Sequence, residues 1–199
     1  MLKTRQFLLV LLPIALVCSC QIAPKEKDAS KFNSDTAELV ESLSSKNPKL
    51  AQLFDSAAGY AVFPVVGEGG LLIASGWGRG AVYEDGDLIG YASTSEHSIG
   101  AVAGGEKWTL LIFFQDEKAL DQFKAGKFAW NAKANAVAGT AGDNVNTNYT
   151  DGVCVVRVDP AGLMGNASAG FSNYKYVSLA DAFKQEEADK AKQQEKANE

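Results

Sequence analysis

Histidine is nearly missing from this chain: His97 is the only one among 199 residues. A metal site built on several histidines is therefore excluded, and any catalytic imidazole has to be His97 itself. Cysteine is scarce, with only Cys18, Cys20 and Cys154, so the sequence supplies no disulfide framework. Basic charge is also short. The chain has 19 Lys and Arg against 24 Asp and Glu, a formal net charge of −5, which makes nucleic acid a poor partner because its phosphates reward clustered cations. The apolar stretch Phe7 to Val17 is interrupted by Pro13 and falls short of the roughly 20 residues that a membrane-crossing helix needs.

That short apolar stretch follows Lys3 and Arg5 and leads into small residues, the layout of a signal peptide over residues 1–19. Val17-Cys18-Ser19-Cys20 resembles a bacterial lipobox, with an aliphatic residue three before the cut and a small one just before it. Cys20 fits that frame as the acylated N-terminus. Cys18 does not, because bulky Leu16 and Val17 would precede its cut. A conventional secretory signal with an incidental Cys-Ser-Cys is the alternative. Buried acyl carbons contribute about 0.8 kcal/mol per CH₂, and two or more chains anchor stably, so a membrane tether through N-terminal acyl chains is expected. Gln21, where Asp would direct retention, resembles the rule that sorts such lipoproteins to the outer membrane, facing the periplasm. Removal of residues 1–19 takes Lys3 and Arg5 and leaves 17 basic against 24 acidic residues. Cys154 would then be the lone thiol, and Val153, Val155 and Val156 beside it predict a buried strand position.

Residues 20–33 read as the lipidated cysteine and a polar linker, with Pro24 and a Lys-Glu-Lys-Asp cluster. A first helix is expected near Ser34 to Lys46, and a second after Asn47 as N-cap and Pro48 as first helical residue, with Leu50, Leu53 and Phe54 on one face. From Tyr60 the period becomes two and glycines multiply. Gly76, Gly78 and Gly80 alternate with Trp77, Arg79 and Ala81, which predicts a bent strand or a close approach of something else. Glu84-Asp85-Gly86-Asp87 predicts a hairpin turn. A small-residue strand from Leu88 to Gly104, an apolar strand from Trp108 to Phe114 and a helix capped by Asp116 follow. The alternation over 128–138 predicts a further strand, and a final hairpin is expected around Asp159-Pro160-Ala161-Gly162. The domain spans 34–181, and 182–199 is a charged tail without an apolar face, a frayed helix or disordered. The expected fold is α+β: a strongly bent, half-barrel-like antiparallel sheet rich in Gly and Ala, with N-terminal helices and one inserted helix.

Motifs for chemistry are weak. Gly76-Trp77-Gly78-Arg79-Gly80 lacks the helix that would complete a dinucleotide cradle. Asn166 stands where a G-x-S-x-G nucleophile elbow has glycine. Glu84 to Asp87 and Asp143 to Asp151 do not have the spacing of a calcium loop, so turn chemistry explains them. No metal, cofactor or catalytic residue is assigned, and a histidine-based hydrolase would depend on His97 alone. Trp77, Trp108 and Trp130 suit either a lipid-facing groove or the core. Arg79 and Lys133 suit phosphate head groups or a solvated strand face.

Gly59-Tyr60-Ala61-Val62-Phe63-Pro64, Gly67 to Gly70, Gly76 to Gly80, Gly90 to Ser93, Gly104-Gly105-Glu106, Leu110 to Phe114, Ala119 to Lys124 and Gly162 to Gly165 resemble, in order, the SYLF-domain family. Val102 and Asn166 depart from its pattern. The resemblance implies a non-enzymatic phospholipid-binding module, often on a lipoprotein in bacteria. Combined with the residues above, it gives the expectation of a tethered lipoprotein that binds phospholipid through Arg79, Trp77, Trp108, Trp130 and Lys133, in a groove framed by the sheet and the Leu50/Phe54 helix. The alternative is a cell-envelope scaffold that recruits a protein partner.

Overall fold

Asn47 separates two helices because its extended backbone ends one and its side chain starts the next. Its Oδ1 accepts from the Lys49 and Leu50 amides at 3.0 and 3.3 Å, and Pro48 fills the first helical position, where a missing N–H costs nothing. The two helices are α1 (Glu26–Lys46) and α2 (Pro48–Ser56). The structure, a computed structural model, describes residues 22–127, 129–131, 137–138, 148–158 and 169–184, with positions 187 and 191.

Helix α1 starts at Glu26, not near Ser34, so much of the stretch read as linker is ordered. The cause is burial that a polar composition conceals. Ala29 and Thr36 face inward, Thr36 Oγ1 donates to the Phe32 carbonyl at 2.7 Å, and Phe32 packs on Tyr91.

The sheet begins with two long strands, β1 (Gly59–Glu84) and β2 (Asp87–Phe114). They join at Asp85 and Gly86, both at positive φ, as a two-residue hairpin turn requires. The two strands expected within 88–114 are thus one. Helix α3 (Glu117–Lys124) follows, with Asp116 Oδ1 accepting from the Ala119 amide at 2.8 Å. The remaining elements are β3 (Ala129–Asn131), β4 (Val137–Ala138), β5 (Val153–Val158), β6 (Ala169–Ser178) and the short α4 (Leu179–Ala182). Of the strand expected over 128–138, β3 and β4 are described and the positions between them lie outside the described residues.

β1 runs along one edge of β2, while β5 and β6 share the other. Both are antiparallel to β2, pairing with Thr109 to Phe114 and with Gly90 to Ile99 respectively. A step of ten from Ile99 to Thr109 meets a step of eleven from Val158 to Ala169, so β5 and β6 lie in line and run in the same sense. They are therefore not partners in a hairpin, as the Asp159 to Gly162 turn had suggested; that turn itself lies outside the described residues. β3 adds to β6, and β4 to β5 in the one parallel pairing among the described residues. The architecture is α+β, with an open, mainly antiparallel sheet.

The sheet is bent enough for β1 to approach itself. A Cβ on Gly80 would lie 2.7 Å from the Val62 carbonyl oxygen and from the Phe63 ring, so only glycine allows this closeness. Around Leu110 to Phe114 both faces are buried, which explains that unbroken apolar run. Ala61, Phe63, Val82, Leu110, Ile112, Phe114, Val153 and Val155 point to an inner face shared with Leu120 and Phe123 of α3. Val62, Ala81, Tyr83, Leu111, Phe113, Cys154 and Val156 point to an outer face covered by Leu50 and Leu53, with Leu39, Val40 and Leu43 alongside. The buried Cys154 matches its expected place, and burial pushes its thiol up to about 11.

Candidate membrane-facing site

Along β1 the outer face changes character. Tyr83 and Ala81 lie under the helices. One step further along, Arg79 is capped by the N-terminal segment: its Nε donates to the Ile22 carbonyl at 3.0 Å. The next outward residue, Trp77, is 42% exposed, and the Arg79 guanidinium stands 5.1 Å from its ring centroid. Burial lowers the Arg79 pKa yet leaves an always-protonated cation.

Val65 lies beside this pair. It occupies the bulge between Phe63 and Val66, held by Thr109 Oγ1 donating to the Pro64 carbonyl at 2.9 Å. Since Val66 turns into the core, Val65 turns out, and it is 56% exposed. Its carbonyl oxygen would be 3.1 Å from a Cβ on Gly78, so Val65 and Trp77 are near neighbours although twelve positions apart.

Register extends the site across the sheet. Arg79 pairs with Ser93, and Ser93 with the exposed Lys175; Trp77 pairs with Ser95, and Ser95 with the exposed Asn173. Two strand spacings, about 10 Å, separate the Arg79 and Lys175 positions, and neither row contains an acid. An acidic chain thus carries a locally cationic surface around an exposed tryptophan.

Residues 22–33 form a strap over the adjoining part of this face. Ala23 is 2% exposed and packs with Tyr91 and Ala182. The Tyr91 hydroxyl donates to Asn33 Oδ1 at 3.2 Å, and Phe183 of the C-terminal segment meets the same ring.

Of the expected lipid-binding residues, the structure brings Trp77 and Arg79 together. Trp108 is elsewhere: it is 2% exposed, in the inner core, with the Arg157 guanidinium 3.7 Å from its ring centroid. It is a core residue and not a groove residue. The Trp130 backbone pairs with Ser172 in β3, while its side chain, Lys133 and Cys20 lie outside the described residues. The expected groove at Leu50 and Phe54 is filled by the protein itself, since Phe54 packs edge-on against Phe113 and Tyr60 at 4.9 and 5.0 Å. Two open hollows of about 320 and 150 Å³ are lined mainly by polar residues, including Asp116, Gln122 and Asp151 in one and Lys49, Gln52 and Tyr149 in the other.

The sequence reading missed Ile22, Val65, Lys175 and Ser75. The last lies opposite His97, its Oγ 3.3 Å from Nδ1. Both are exposed. Among the described residues no hydrogen bond adds a third, orienting group to this pair of the kind that activates a nucleophile.

No protein-family model matches the chain. It is similar to the Beta cell expansion factor A of Aeromonas veronii, with 27% identity over 153 residues that make up 76% of this chain. The chain spans 58% of that relative's length.

Proposed function

We propose that this protein is a membrane-tethered, non-enzymatic lipoprotein whose SYLF-like domain binds phospholipid. The tether is an acylated Cys20, read from the lipobox-like Val17 to Cys20, and the outer membrane facing the periplasm is its proposed location. The observation that carries the reading is the Arg79 to Ile22 hydrogen bond, because it puts the chain leading to Cys20 beside an exposed Trp77. Tryptophan favours the membrane interface through its amphipathic ring, and the positive charges of Arg79 and Lys175 favour an anionic lipid surface. The ordered segments that resemble the SYLF-domain family support the same reading. Since the Leu50/Phe54 space is filled, head-group contact at the surface replaces acyl-chain uptake there.

The test is flotation of the chain from residue 21 onward with phospholipid vesicles, with and without anionic lipid. Recovery with the vesicles, strengthened by anionic lipid and weakened by salt, is expected. Protein left entirely in the lipid-free fraction with both compositions would refute phospholipid binding.

A further inference from the structure

Among the described residues, the outer face of the sheet shows helices over Ala81 and Tyr83, the strap over Arg79 and Tyr91, and an exposed zone at Trp77 and Val65. Ile22, where the described residues begin, lies at the border of that zone. Two residue steps separate Cys20 from Ile22, at most about 7 Å of extended chain, and the Ile22 carbonyl is fixed to Arg79. An anchor joined to the domain by so short a connection has little freedom to reorient it.

We infer that residues 22–33 act as a rigid mount, and that Val65 and Trp77, flanked by Arg79 and Lys175, are pressed against the phospholipid bilayer that holds the anchor. This rests on the tethered reading above. Charge and position both select the bilayer as occupant. The exposed apolar pair is bordered by two cations and by no acid in the paired rows 77, 95, 173 and 79, 93, 175, which suits a phosphate-lined interface. The Arg79 clasp also holds Ile22, two residues from the proposed acyl anchor, at this border.

The experiment uses the full chain, purified from membranes and reconstituted in phosphatidylcholine and phosphatidylglycerol vesicles whose acyl chains carry bromine, a short-range quencher of tryptophan fluorescence. The mass of the mature N-terminal peptide is read first. An unacylated N-terminus would overturn the tether and this inference together. With Cys20 acylated, Trp77→Phe is expected to reduce the quenching, and equal quenching in the variant overturns this inference alone. Arg79→Ala frees the mount, so the part of the quenching due to Trp77, measured against Arg79→Ala/Trp77→Phe, is expected to fall while the protein stays in the membrane. Unchanged Trp77 quenching there would refute the rigid mount. Val65→Gln alters an exposed position and is expected to lower Trp77 quenching without unfolding the protein, which keeps the contact testable if Arg79→Ala fails to fold; quenching equal to that of the unsubstituted protein would exclude Val65 from the contact.

Discussion

The Arg157 guanidinium lies over Trp108, its central carbon 3.7 Å from the ring centroid. Cation and ring attract, and the pair closes the inner core where β5 runs beside β2. Arg157→Ala is expected to cost about 1 kcal/mol in chemical denaturation and to shift Trp108 emission to the red as water reaches the ring. A variant of unchanged stability and emission would show that the contact contributes nothing.

The approach of β1 to itself depends on Gly80. A methyl group there meets the Val62 carbonyl oxygen and the Phe63 ring at 2.7 Å, so Gly80→Ala is expected to destabilise by roughly 1–3 kcal/mol. Gly67→Ala is the matched control, because its Cβ would meet nothing within 4 Å; a change within about 0.5 kcal/mol is expected. Thermal melts of the two variants side by side check the difference.

Local signals in the sequence were legible because each is carried by one or two side chains. Asn47 and Pro48 marked the start of α2, Asp116 marked α3, and Asp85-Gly86 marked the hairpin. What was missed depends on pairing over long separations. Glycines 104 and 105 looked like a break, yet they pair with Gly70 and Gly69 inside a continuous β2. The in-line course of β5 and β6 is fixed by the other edge of β2, which no local pattern encodes. The same limit applied to the site. Trp77 and Arg79 alternate in one strand and were found, whereas Lys175 joins them only through register and Ile22 only through a hydrogen bond spanning 57 positions. Trp108 has the residue type of an interfacial anchor, and only the inward direction of its position placed it in the core.

The α1–α2 corner has its own test. Asn47 is 7% exposed and caps α2 with its side chain, so Asn47→Ala is expected to lose about 1 kcal/mol, and Asn47→Asp or Asn47→Ser to retain most of it. Equal losses in all three variants in urea denaturation would mean that packing, and not capping, decides this position.

Burial raises the Cys154 thiol from an ordinary 9.0 to about 11. The folded protein therefore holds its proton where the unfolded chain releases it. The stability linked to this group is full below pH 9 and is lost as the pH rises towards 11. Burial, followed by Tyr60 and Tyr91, raises Tyr83 to about 12 and adds to the decline in the same direction. Denaturation midpoints measured from pH 8 upwards in the unsubstituted chain and in Cys154→Ala check this: the alkaline fall should be shallower in the variant. At neutral pH a thiol reagent should leave Cys154 unmodified until the protein unfolds.

Phospholipid binding by the outer face around Trp77 is the proposal on which the rest depends. Its most direct test is vesicle flotation of the acyl-free chain from residue 21, compared with Trp77→Ala/Lys175→Glu, which alters two exposed positions of that face. The unsubstituted chain is expected to float with anionic vesicles and the folded double variant to stay behind. Equal flotation of both would contradict it.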